Sequence, residues 1–274
     1  MWVANLPGLK SADTISEVFL DYEIPIVIGG NMKGAEKKHN ARSTRKDLEN
    51  LLRAAKNVLD RNWTGNFTIP SPILYPHQWS WDSAFVAIGN SYINTERAIK
   101  ELEYLFDAQW KNGMAPQIVY SNKKNKKEED DTYFPSAEFY DVTRSPNAPR
   151  HVKTSGITQP PVHAISCYCI YKNSADDKGK ERAKRFLGKI FPNLMKFHNF
   201  LMTQRDPEKS GLVTIFHPWE SGLDNLPIWD EPLSRVKVRD LPRFERLDIK
   251  AIGKGAKEVR EDDETYRRFL YLVK

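Results

Sequence analysis

KGKERAKRFLGKIFPNLMKFHNFLMTQ, Lys178–Gln204, carries Phe186, Leu187, Ile190, Leu194, Phe197, Phe200 and Leu201 at helical spacing. So heavy an apolar stripe needs a helix that buries one side, and Pro192 predicts a break or fresh start within it. The rhythm recurs upstream. A helix starting near Ser43 or Thr44 places Leu48, Leu51, Leu52, Ala55, Val58 and Leu59 together, and another runs from Asp82 to about Ile93. A third, opened by Asn94, has Ala98, Ile99, Leu102, Leu105, Phe106 and Trp110 on its apolar side. TSGITQPPVHA, Thr154–Ala164, opens a further helix with Pro160 and Pro161 in its first turn. Strand signals are weak and short. Polar-aromatic segments separate these helices roughly every 40 to 60 residues, the layout of helical hairpins side by side with loops pooled at one end. The expected fold is all-α, a toroid of paired helices. No Gly/Ser-rich or Pro-rich linker divides the motif-bearing part, so one domain is expected over residues 43–274, with 1–42 a peripheral N-terminal segment.

Length and composition set the function classes. The chain has 274 residues, 40% hydrophobic and 28% charged, enough to bury a substantial core. No run approaches the roughly 18 to 20 apolar residues of a membrane span, so no membrane partner is expected. The formal charge of +6 is spread among acids rather than gathered in a stripe, which argues against nucleic acid. NKKNKKEEDD, Asn122–Asp131, cancels its own charge and reads as a solvated loop; Arg235–Glu264 reads likewise. Cys167 and Cys169 point different ways on a helix, so they read as free thiols suited to a reducing, cytoplasmic setting. His77, His163, His198 and His217 have no metal-ligand spacing, and no metal site is expected.

Two segments concentrate chemistry. HPWESGLDNLPIWD, His217–Asp230, packs two tryptophans beside Glu220, Asp224, Asn225 and Asp230, with Gly222 permitting a sharp turn. A pyranose offers C–H faces that pack on aromatic rings and hydroxyls that need polar partners; Trp219 and Trp229 suit the first, the acids and amide the second. YPHQWSWDSAF, Tyr75–Phe85, repeats the pattern with Tyr75, His77, Gln78, Trp79, Trp81 and Asp82. Asp82 stands at a helix start, where it serves as a cap, as a carboxylate gripping a vicinal diol, or as both. Glu220 reads either as a sugar contact or as a hydrogen-bonded prop for Asp224. Tyr133, Phe134 and Pro135 read equally as pocket wall or core.

QWSWDSAF, NGMAPQIVY, TSGITQPPVHA and HPWESGLDN, in this order, resemble the catalytic domain of glycoside hydrolase family 63, especially the mannosylglycerate and glucosylglycerate hydrolases. The resemblance runs from about Thr44 onward. It implies an (α/α)6 barrel, inverting hydrolysis of α-linked glucosides or mannosides, a carbohydrate substrate, and no cofactor. It makes Asp224 the general acid and places sugar contacts at Trp81, Asp82, Gln117, Gln159 and Trp219; Gln159 also reads as a helix cap. An inverting acid must hold a proton, which burial beside Trp219 and the charge of Glu220 would favour. The partner base, roughly 6.5 to 9.5 Å across the sugar, is a glutamate well past the WESGLDN motif in the family. No counterpart is found before Lys274, since Glu261–Glu264 reads as a solvated helix start. The chain supplies about seven or eight of the barrel's twelve helices and stops inside one, so it is expected to be C-terminally incomplete, and inactive for want of the base. Two alternatives stay open: a carbohydrate-binding or pseudoenzyme product without turnover, and a plain helical interaction scaffold.

Overall fold

The computed structural model describes residues 45–121, 133–253 and 260–274. The expected peripheral segment 1–42 and the charged loop 122–131 lie outside the described residues. The chain divides between Arg61 and Asn62 into two units. The first carries all but the last residue of α1, Arg45–Asn62, whose i,i+4 ion pairs Arg45–Glu49 and Lys56–Asp60 link successive turns.

The second unit is built on four helices. α2, Ser80–Ser91, packs on α3, Thr95–Asp107, and on α5, His163–Asn173; α6, Asp177–Gln204, packs on α3 and α5. Each starts or stops for a local reason. Asn94 caps α3 by accepting the Arg97 amide at 3.1 Å, and Asp176 caps α6 by accepting the Gly179 amide at 2.6 Å. Leu102, Leu105, Ile170, Phe186, Ile190 and Phe197 interlock in the main core. Burying each such side chain contributes about 1.5 to 3 kcal/mol, which explains why these helices hold.

Three expectations need correcting. α6 runs without a break through Pro192: Ile190, Leu194 and Phe197 bury on both sides of the proline, outweighing its cost of about 3 kcal/mol. Pro160 and Pro161 precede α5 rather than form its first turn, because a proline disfavours helical geometry in the residue before it. Asp82 is not a cap. The cap position of α2 is Trp79, without a side-chain bond, and Asp82 sits in the first turn.

The remaining elements are short. Strands β1, Gln78–Trp79, and β2, Ile118–Val119, pair antiparallel with Gln78 opposite Val119 and Trp79 opposite Ile118. α4, Ala137–Tyr140, follows; 3₁₀ turns at Pro218–Ser221 and Pro227–Trp229 lead into α7, Asp230–Ser234. α8, Leu247–Ile252, and α9, Asp263–Val273, end the described chain. No described helix is long and apolar enough to cross a membrane. The architecture is helical, the α/α toroid arrangement, and among the described residues the strands are confined to one two-stranded ribbon.

Candidate active site

The ribbon and the start of α2 form the inner wall of a cavity of about 260 Å³. Ser80 N–H donates to the Gln117 carbonyl at 2.9 Å, so the chain enters α2 from a fixed strand. The Trp81 N–H, a first-turn donor with no helical partner, donates to Gln159 Oε1 at 3.1 Å. That bond holds Gln159 at the cavity. Trp79 is packed edge-on by Tyr75 and Tyr133, with ring centroids 5.1 and 5.0 Å away. Burial raises the Asp82 carboxyl to about 6, against the hydrogen bonds it accepts.

The Trp219 turn closes the inner wall. His217 is buried; its Nδ1 accepts the Trp219 amide at 3.0 Å, and its Nε2 therefore donates to the Phe269 carbonyl at 2.9 Å. Burial lowers this imidazole to about 4, so it stays neutral. Gly222 adopts φ 68°, and a Cβ there would lie 2.4 Å from the Trp81 indole. Only glycine fits both constraints. Two residues on comes Asp224, half-buried at the cavity.

Glu220 faces elsewhere. Both its oxygens are taken by Arg205, at 2.7 and 2.8 Å, and by the amides of Phe216 and Thr158, at 2.9 and 3.2 Å. The pair is buried, and through the Thr158 amide it ties the Trp219 turn to the loop that carries Gln159. Glu220 is thus held by Arg205 at contact distance and by two backbone amides.

The outer wall comes from the segment read as solvated. Asp248 on α8 accepts Arg246 bidentately, both bonds at 2.9 Å, and Arg260 Nε at 3.0 Å. Arg260 Nη1 reaches across to Tyr75 Oη at 2.9 Å. Burial alone would raise Asp248, but Arg246 and Arg260 outweigh it and hold the carboxyl at about 2. Glu261 lines the cavity as well. Burial raises its carboxyl, Arg260 opposes that, and the neighbouring Asp224 adds to the rise.

Tyr75, Trp79, Trp81 and Asp82 thus meet Gln117, Gln159, Trp219 and Asp224 at one cavity. Glu220, Asn225 and Trp229 are not among its lining residues. Asn225 is exposed, and Trp229 Nε1 donates to the Leu223 carbonyl at 2.9 Å, bracing the loop. Tyr133 and Phe134 line the cavity, Tyr133 also packing against the buried cluster of Trp79 and Tyr120, while Pro135 is buried and is not a lining residue. Asp248, Arg260, Glu261 and Tyr266 were missed. Their one sequence signal was an Arg and Asp alternation that looks the same whether it is solvated or paired.

A family model described as the mannosylglycerate hydrolase MGH1-like glycoside hydrolase domain matches residues 75–274. A mannosylglycerate hydrolase from Rubrobacter radiotolerans is 45% identical over 229 residues, which is 83% of this chain and 49% of that protein. A glucosylglycerate hydrolase from Mycolicibacterium hassiacum is 42% identical over 226 residues, covering 81% and 49%. The solved family 63 mannosylglycerate hydrolase from Thermus thermophilus, in complex with Tris and D-glycerate, superimposes with a TM-score of 0.69 at 44% identity, covering 81% and 49%. The same enzyme in complex with glucose gives a TM-score of 0.64. The chain spans about half the length of the relatives it matches.

Proposed function

Because the chain belongs to the mannosylglycerate hydrolase MGH1-like glycoside hydrolase family, we propose that its cavity takes the sugar of an α-linked glucoside or mannoside and that Asp224 is the acid of its inverting hydrolysis. The observation that carries this reading is the convergence of Asp224 with Trp81, Trp219, Asp82, Gln117 and Gln159 on one cavity. The indoles pack on the ring's C–H faces; the two glutamine amides each offer a donor and an acceptor to hydroxyls. Asp224 hands its proton to the departing oxygen while a second carboxylate, across the sugar, deprotonates a water. The family resemblance places that base beyond the part of the pattern this chain spans, so the acid and the sugar-gripping wall are the assignments made to its residues.

Glycerate is the aglycone favoured, since relatives act on mannosylglycerate and glucosylglycerate and Arg260 brings a guanidinium to the cavity. Arg239, Arg243 and Arg246 are not among the cavity's lining residues. Calorimetry and turnover on Asp224→Asn test the reading together. Retained binding of mannosylglycerate, with turnover lost in a form extended to the full length of the relatives, supports it, and turnover of that extended form unaffected by Asp224→Asn sinks the acid assignment. Saturable binding with no turnover by the unaltered extended form would favour the binding-protein reading instead.

A further inference from the structure

Glu101 lies on α3, fully buried behind the inner wall. Three donors converge on its carboxyl: Ser83 Oγ and Gln78 Nε2 on Oε1, at 2.6 and 3.3 Å, and the Thr68 amide on Oε2, at 2.8 Å. Gln78 Nε2 also donates to the Glu101 carbonyl at 2.9 Å. Two of these partners adjoin cavity residues directly, for Gln78 precedes Trp79 and Ser83 follows Asp82. Glu101 differs from Glu220 in having no cation. Its hydrogen-bond partners among the described residues, Ser83, Thr68 and Gln78, are neutral.

We propose that Glu101 is a positioning residue: its carboxylate, by accepting these three hydrogen bonds, places Trp79, Trp81 and Asp82, and protonating it relaxes that wall. The Thr68 amide cannot reverse its role, whereas the Ser83 and Thr68 hydroxyls can, and Gln78 can by turning its amide oxygen inward. A proton on Oε1 is taken up by turning Ser83 or Gln78 from donor to acceptor, and either turn removes a bond that Oε1 accepted. The inner wall loses its tie between α2 and β1. Burial pushes Glu101 up to about 7, against the bonds from Ser83, Thr68 and Gln78, which puts the change near neutral pH. The functional weight of the proposal rests on reading Trp79, Trp81 and Asp82 as the sugar-facing wall.

The test is near-ultraviolet circular dichroism of the full chain between about pH 5 and 8, with mannosylglycerate binding measured at both ends. The expected result is a component with its midpoint near 7 that Glu101→Gln abolishes and Glu101→Asp keeps at reduced amplitude. The Asp82 component, near 6, persists in all three proteins. Binding by the unaltered chain weakens several-fold below the midpoint, and that dependence goes with the component. Superimposable titrations of the unaltered and Glu101→Gln chains overturn the proposal. If Glu101→Gln does not fold, the carboxyl-carbon NMR titration of Glu101 decides: a midpoint near its ordinary 4.5 overturns the proposal and one near 7 supports it. The spectral arm needs no sugar. Failure of the functional reading alone, with binding absent at every pH, therefore leaves a different signature from failure of the positioning role.

Discussion

The cavity's two walls are held by different physics. The inner wall, from β1, the start of α2 and the Trp219 turn, is fixed by backbone bonds, buried rings and the enclosed Arg205–Glu220 pair. The outer wall, from α8 and Arg260–Glu261, hangs on half-buried charges sharing Asp248. Buried, fully bonded groups resist salt and solvent but tolerate no substitution, while charge networks near water accept substitution and respond to conditions. One wall is a mould and the other a clasp.

The largest break comes at Arg205→Ala, which leaves Glu220 buried and unpaired at a cost of about 3 to 5 kcal/mol. Urea unfolding measures it, and a loss under about 1 kcal/mol would mean that the inner wall is not anchored there. Gly222→Ala is expected to cost about 1 to 3 kcal/mol through its positive φ and the overlap with Trp81. A blunted near-ultraviolet tryptophan signal should accompany it; an unchanged signal would show that the indole can give way.

Acid separates the walls next. His217 is lowered in the fold from 6.5 to about 4, so its contribution is complete above 6.5 and is lost as pH falls from 6.5 toward 4. Asp248 is lowered from 3.8 to about 2, so the clasp persists until pH falls below 3.8. Glu101 and Asp82, both raised, act on overall stability in the opposite sense, which makes melting a poor readout. Amide exchange read locally at Trp219 and across Leu247–Ile252 should show the inner wall loosening first. The reverse order would contradict this. The smallest effect is salt: about 0.5 M is expected to cost the outer wall under 1 kcal/mol and to leave Trp219 exchange unchanged.

Legibility followed the same division. The helices were readable because burying one face imposes a period, and Leu102, Leu105, Phe186 and Ile190 fall on it. The inner-wall residues were readable because tryptophans, glutamines and acids crowd within short segments. Arg260 and Tyr75 are 185 residues apart, so nothing local announces their bond. Glu261 looked like a solvated helix start because a run of acids has the same letters whether or not one member turns inward. Glu220 shows the converse: adjacency to Asp224 suggested shared chemistry, but its charge is spent on Arg205.

The close approach of Gly222 to Trp81 has a consequence for temperature. No side chain stands between the turn that carries Asp224 and the indole beside Asp82. Their spacing is therefore a gauge cut in backbone, with no rotamer to spread it, and warming should blur the outer wall well before it alters the distance between Asp224 and that indole.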